Sequence, residues 1–411
     1  MGSTAVEGFK VPEWLNSKFM SEVLSKEKEK KVNAIHIEVN PAVGKGDNYL
    51  STLYRITAEC KNGNENTKYY VILKTLPEGE MVQKILEDLN GFKKEVQMYE
   101  VVFPAMYSMM KSIFGKLQPI SARCFPCREE NILVLEDLQH LDYKMANRYN
   151  GLDLDHCKVT VRALARFHAL SLALHKKDPS IMDVYEETFY ADRKQTESYI
   201  SSKFSALVPE VESWPGYEHY AEKVRKLGQS GFSRLVEIVK PKKNSLNVLN
   251  HGDCWVNNMM FHYCPVSGKV DDVRFVDFQI ARFSSPVLDL QYFICNSPTD
   301  EVRFQCRDTL LKEYHKELVG YMKALKLDCD VITLEQLNEE FEEKNFFGLM
   351  TACTILCSAM AQPSDLPDLS EIKEDHLEKG GKTPMAKAYN GRRFREIFEK
   401  MLVFYEKKGL L

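Results

Sequence analysis

Residues 248–293 read VLNHGDCWVNNMMFHYCPVSGKVDDVRFVDFQIARFSSPVLDLQYF. Three polar residues in this stretch decide how the chain is read: Asp253, Asn258 five positions later, and Asp277 after an apolar run. Two β-rich segments, 258–263 and 273–277, flank a Ser267-Gly268 turn, the pattern of a hairpin. A hairpin folds Asp277 back beside the 253–258 loop. Two carboxylates and an amide then gather where no Lys or Arg occurs between Asn247 and Lys269. Uncompensated acids are costly to bring together, so the cluster calls for a divalent cation. A buried structural turn with incidental acids would leave the same residues, but only if three spaced elements coincide.

One chemistry uses this order directly. In protein-kinase-type phosphotransferases an aspartate takes the acceptor hydroxyl proton. An asparagine five residues on and a separate Asp-Phe-x aspartate hold Mg²⁺ over the phosphates. Asp253, Asn258 and Asp277-Phe278 keep that spacing, with His251-Gly252 in place of His-Arg and Gln279 in place of Gly. The HGD…N…D form resembles the aminoglycoside and choline kinase branch. The fuller pattern, HGDCWVNNMMF with FVDFQ and SSPVLDLQYF, resembles the ecdysteroid kinase-like (CHK kinase-like) family of insects, over roughly residues 10–400. The resemblance implies an α+β, bilobal protein kinase-like fold. A small N-terminal antiparallel-sheet lobe (1–138, with a leading docking helix) would bind nucleotide. A larger, mainly helical C-terminal lobe (139–411) would carry catalysis and the acceptor. It also implies ATP and Mg²⁺, with Asp253 as base and Asn258 and Asp277 on the metal. His251 and Asp289 would support the loop.

The N-terminal third fits that layout. Residues 12–31 have helical apolar spacing (Trp14, Leu15, Phe19, Val23, Leu24). Residues 34–75 alternate as strands around Gly44-Lys-Gly46-Asp-Asn48-Tyr49, a glycine-bearing turn whose amides can approach phosphate. The resemblance makes GKGDNYLSTLYR the nucleotide loop, with Gly44, Gly46, Asn48 and Tyr49 at the ATP. Lys74 ends the apolar strand VILK, where a buried ammonium needs an anion. Glu95, on a helix over 80–114, matches the glutamate that pairs with that lysine; Glu87, Asp88 and Glu100 are its sequence rivals. The strand 131–138 leads to the hinge, where Glu136, Asp137 and Leu138 would offer backbone groups to adenine.

The C-terminal part reads as helical. A helix over 153–176 is capped by Asp153 or Asp155, with His168 as a hydrogen-bonded core histidine. Residues 180–245 would carry inserted helices. Within them, the proline-broken stretch 207–220 would be either an acceptor-pocket wall or a surface loop. Three long helices are expected at 300–324, 333–361 and 383–407, and a polar loop at 363–382 could close over the acceptor.

Composition sets the outer limits. A 411-residue chain that is 44% hydrophobic can build more than one core. Its net charge of −4 argues against a nucleic-acid partner. There is no apolar run of membrane-spanning length, so a cytoplasmic monomer is expected, away from membranes. Eleven scattered cysteines fit reduced thiols, Cys124 and Cys127 included. The acceptor would be a small hydroxylated molecule: an ecdysteroid-like steroid, or a xenobiotic alcohol or phenol. Two other readings stay open. One is a choline- or aminoglycoside-type kinase with a cationic acceptor. The other is an inactive small-molecule carrier on the same fold.

Overall fold

The structure, a computed structural model, describes residues 11–29, 31–42, 51–62, 65–77, 90–127, 129, 131–186, 189–191, 193–243, 245–327, 332–365 and 386–411. The glycine turn with Gly44, Gly46, Asn48 and Tyr49, the candidates Glu87 and Asp88, and most of the expected loop over 363–382 lie outside them.

The small lobe is one antiparallel sheet. Strands β1 (Asn33–Pro41), β2 (Thr52–Asn62), β3 (Glu65–Thr75), β4 (Cys124–Phe125) and β5 (Ile132–Glu136) are ordered β1-β2-β3-β5-β4. Alternation along β3 divides its side chains between two cores. Val71 and Leu73 are buried with Ile56 and Ala58 on one face, while Ile72 packs toward the core of the other lobe. Helix α1 (Ser17–Lys28) closes the first core with Met20, Val23 and Leu24. It starts five residues later than its apolar spacing predicts, because the Asn16 side chain accepts from the Lys18 and Phe19 N–H groups and caps it there. Trp14, outside the helix, is left 41% exposed.

After β3 comes α2 (Gly91–Gln97), a π-helical turn (Met98–Val102) and α3 (Phe103–Phe114). The chain leaves the small lobe through a 3₁₀ turn, Leu138–Leu141, and β6 (Lys144–Met145). Here Asp137 accepts from Arg55 at 2.8 Å, and His140 stacks on Tyr70 with ring centroids 3.6 Å apart.

The large lobe is built on α4 (Leu154–Lys177), which Asp153 caps through the His156 N–H. Helices α5 (Lys194–Glu212) and α6 (Tyr220–Val239) are the inserted pair. Strands β7 (Val248–Asn250), β8 (Met259–Tyr263), β9 (Val270–Phe275) and β10 (Arg282–Ser284) lie within the stretch 248–293. The predicted hairpin is β8–β9, with Met259 opposite Phe275. Helices α7 (Val287–Asn296), α8 (Asp300–Gln305), α9 (Arg307–Ala324), α10 (Leu334–Glu343), α11 (Asn345–Thr354), α12 (Leu356–Met360), α13 (Ala386–Tyr389) and α14 (Arg392–Lys407) complete it.

Further expectations change. The helix expected over 300–324 is α8 and α9, parted at Cys306, and that over 383–407 is, among the described residues, α13 and α14, parted at 390–391. The helix predicted over 333–361 is three pieces, broken at Lys344 and Ile355; Lys344 is buried and turns its ammonium to the Ile238 carbonyl. The stretch 207–220 is not a loop throughout. Helix α5 runs through Pro209 to Glu212, and Trp214 is buried against Phe394 and Phe398 of α14, so it packs core. Every described cysteine is a free thiol, Cys124 and Cys127 among them. No described helix is long and apolar enough to cross a membrane.

Candidate active site

The strand β3 delivers Lys74 to the cleft between the lobes. Its side chain is only 4% exposed. The ammonium lies 2.7 Å from Glu95 Oε2 and 3.0 Å from Asp277 Oδ1, one acid from each lobe. Burial works against a charged lysine, but Asp277 and Glu95 outweigh it and hold the ammonium charged, above its ordinary range. Burial pulls Glu95 the other way; the 2.7 Å contact with a charged lysine decides for an ion pair. Of the two described acids, Glu95 turns inward: it is 0% exposed, whereas Glu100 is exposed.

Glu95 also fixes the backbone after Asp277, accepting from the Phe278 N–H at 3.2 Å. Asp277 itself sits at φ 67°, in the left-handed region where a non-glycine residue is strained. The buried Phe278 ring holds it there. That ring packs edge-on against Phe103 (5.0 Å), Tyr99 (6.1 Å) and Phe167 (5.9 Å), and lies 4.5 Å from His251. The π-turn after Glu95 puts Tyr99 and Phe103 on one face toward it, the use to which such turns are often put near functional sites.

The HGD loop is held from below. Asp289 at the start of α7 accepts from the backbone N–H groups of His251 (2.7 Å) and Gly252 (3.0 Å), and from His168 Nε2 at 3.2 Å. Burial alone would raise the Asp289 pKa, but His168, His251 and the Gly252 N–H bring it below the usual carboxylate range. His168 bonds Tyr314 through its other nitrogen, at 2.8 Å, so it is the satisfied core histidine expected. His251 receives the Asp253 N–H at Nδ1 (3.2 Å), so the proton sits on Nε2, which donates to the Val276 carbonyl at 3.0 Å. Gly252 has φ 89°, and a Cβ there would run into the Ile280 carbonyl.

Asp253 stands at the end of this scaffold. One carboxylate oxygen accepts from the Tyr292 hydroxyl; the other accepts from Asn258 Nδ2 at 2.9 Å. Burial raises its pKa above the ordinary carboxylate value, opposed by Tyr292 and reinforced by Asp277. The spacing of Asp253 and Asn258 thus reflects a direct contact. Tyr292 was not picked out from sequence. Its signal was one helical turn of spacing from Asp289, on the same face of α7.

The residues fit a magnesium-like ion. Among the described residues no group of three His, Cys, Asp or Glu could cage a metal. Magnesium usually takes one or two protein carboxylates and completes its shell with phosphates and water. Asp277 and Asn258 are such a donor set, since Asn258 spends its amide nitrogen on Asp253 and keeps its oxygen.

At the hinge, the Glu136 N–H is taken by the Arg123 carbonyl (2.8 Å) and the Asp137 N–H by the Tyr70 carbonyl (3.1 Å). The Glu136 carboxylate accepts from Arg274 at 3.3 Å. Donors of Glu136 and Asp137 are therefore engaged within the protein, and Leu138, whose side chain is buried, begins the 3₁₀ turn.

The ecdysteroid kinase-like family model matches residues 45–327, more than half of the chain, and takes in Lys74, Glu95, Asp253, Asn258, Asp277 and Asp289. The chain belongs to the ecdysteroid kinase-like family. Solved structures similar to this member include a choline/ethanolamine kinase family protein from Mesorhizobium loti, with 12% identity, 86% of this chain and 92% of that one covered, and a TM-score of 0.33. Another is an amicoumacin kinase in complex with AMP-PNP, Ca²⁺ and Ami, with 10% identity, 93% of each chain covered, and a TM-score of 0.39. No curated protein sequence matches the chain.

Proposed function

We propose that this member of the family is an ATP-dependent kinase that phosphorylates a hydroxyl of a small molecule, an ecdysteroid-like steroid or a xenobiotic alcohol or phenol, as a cytoplasmic monomer. The observation that carries the reading is Lys74, whose ammonium is paired at once with Glu95 and Asp277 in the cleft that also holds Asp253.

In this reading Lys74 binds the α- and β-phosphates of ATP, and Glu95 keeps it charged and aimed. The glycine turn with Gly44, Gly46, Asn48 and Tyr49 covers the phosphates, and the backbone of residues 136–138 meets the adenine. Asp277 and Asn258 hold Mg²⁺, which when bound offsets charge on the transferring phosphates. Asp253 orients the acceptor hydroxyl and takes its proton late. The acceptor oxygen bonds to the γ-phosphorus as the bridging P–O bond to ADP breaks. Phosphoryl transfer asks for positioning and charge neutralisation more than covalent help, and the scaffold beneath Asp253 supplies positioning. Aromatic rings of Tyr190, Tyr292 and Phe347 group beside Asp253 and suit an apolar acceptor.

The test is ADP formation with ATP and Mg²⁺ against a panel of steroid, phenolic and amino-alcohol acceptors. Turnover with a steroid or phenol supports the reading. Turnover with amino alcohols alone would replace its acceptor class. No turnover at all, with tight steroid binding, would make the protein a carrier.

A further inference from the structure

Arg282 on β10 is 0% exposed, and one nitrogen accounts for all its hydrogen bonding: Nη2 donates to the Gly252 carbonyl at 3.0 Å. Nε and Nη1 are buried without a partner. No acid among the described residues forms an ion pair with it. The guanidinium lies 5.2 Å from the Tyr190 ring and 5.3 Å from the Phe347 ring, contacts that offset part of the cost of burying a cation but supply no counter-charge.

It is not the only cation there. Lys94, one residue before Glu95, is 1% exposed. Its pKa is pushed down to about 8, by burial first and then by Arg282 and Arg193. Arg282 on β10 and Arg193 just before α5 both act on Lys94 of α2. The region adjoins the reacting centre, because the Tyr190 hydroxyl feels both Arg282 and Asp253, and Arg282 bonds the carbonyl that precedes Asp253. A buried guanidinium with two unspent N–H donors, close to further cations, is an arrangement that binds an oxyanion.

We propose that Arg282, with Lys94 and Arg193, forms an oxyanion subsite on the acceptor side of Asp253, which binds a phosphate-class anion. It deepens the kinase reading and rests on it. The anion is either the phosphoryl group being transferred or an anionic substituent of the acceptor. In either case the subsite repels an ammonium group, so choline- and aminoglycoside-like acceptors are disfavoured.

The experiment is calorimetric titration of inorganic phosphate into the full-length protein saturated with ADP and Mg²⁺. Saturable binding is expected. Arg282→Met should weaken it by about tenfold or more, the loss of a charge-assisted hydrogen bond. Lys94→Met should weaken it in the same direction and serves if Arg282→Met does not fold. Thermal unfolding of the unliganded Arg282→Met protein should come at the same or a higher temperature, since a buried charge without a counter-ion has been removed. Repeating the titration with AMP-PNP in place of ADP separates the sources. Displacement of phosphate assigns the subsite to the transferring group, and undiminished binding assigns it to the acceptor. Phosphate binding that is absent, or equal in both variants, overturns the subsite; a lowered unfolding temperature with unchanged phosphate affinity makes Arg282 a structural strut. Failure of ADP and Mg²⁺ to bind counts instead against the kinase reading, and phosphate titrated into the protein alone then still decides the subsite.

Discussion

Asp253 is held by two donors of different strength and purpose. Asn258 joins it to the side of the cleft proposed to hold the metal, and Tyr292 reaches it from α7. Because burial raises its pKa, the proton leaves Asp253 only above the ordinary carboxylate value of about 3.9. Activity that needs the carboxylate should fall as pH drops through that raised value, giving kcat/KM an acid limb at higher pH than an ordinary carboxylate would give. The Tyr292 hydroxyl stabilises the charged form, so Tyr292→Phe should move the limb to higher pH; a limb that stays put would remove Tyr292 from the role. Asp289 has the opposite sign. Its pKa is depressed in the folded protein, so its contribution to stability is present above the unfolded value of about 3.9 and lost as pH falls through the folded value. Asp289→Ala leaves His168 and two backbone donors unmet and should cost about 3–5 kcal/mol in a denaturant titration. Sequence spacing picked out Asp253, Asn258 and Asp277, because chemistry restricts their identity and order, and the family resemblance added Asp289. It did not pick out Tyr292 or Arg282, whose importance comes from which way a helix or strand faces. Arg282 offered a faint signal as a lone cation inside the apolar run IARF.

At the scale of elements, the β8–β9 hairpin does what its turn and alternation predict, bringing Asp277 back to the 253–258 loop; the Val276 N–H bonds the Asn258 carbonyl at 3.0 Å. The loop between β7 and β8 depends on Gly252, whose positive φ and close approach to Ile280 admit no side chain. Gly252→Ala should therefore shift the catalytic loop, cutting turnover much more than nucleotide affinity. Equal losses in both would place the strain elsewhere. Strands and hairpins were legible because a period of two is local. Helix ends were less so: α1 is set by its Asn16 cap rather than by apolar spacing, and the break between α10 and α11 falls at the buried Lys344, which bonds α6. Tertiary contacts of that kind leave no periodic trace. The same holds for Trp214, whose aromatic surroundings pointed as readily to a pocket as to the core it joins.

For the whole molecule, the two lobes meet through a shared apolar core, through charge and through the Phe278 ring. Lys74 pairs across the cleft with Asp277, Glu95 accepts from the Phe278 N–H, and Phe278 packs among Tyr99, Phe103 and Phe167. The two-lobed layout could be read early because the lysine, the glutamate and the HGD and Asp-Phe motifs occur in a fixed order. What each lobe would contribute to the proposed acceptor could not, since that rests on side chains distant in sequence. A ligand that spans the cleft should stabilise the molecule as a unit. Mg·AMP-PNP at a hundred times its Kd should add about 2.7 kcal/mol to unfolding. Lys74→Met should lose most of that gain at the same concentration; an undiminished shift would mean that nucleotide binds without the lysine.

The central claim is that Asp253 acts on the acceptor hydroxyl and not on the nucleotide. Asp253→Asn should be compared with the wild type in single-turnover phosphoryl transfer from ATP to an acceptor the wild type uses, with Mg·AMP-PNP affinity measured alongside. The account predicts transfer slowed by roughly 10²–10⁴-fold, the usual contribution of general base catalysis, with nucleotide affinity within about threefold of wild type. Full transfer by Asp253→Asn would contradict it.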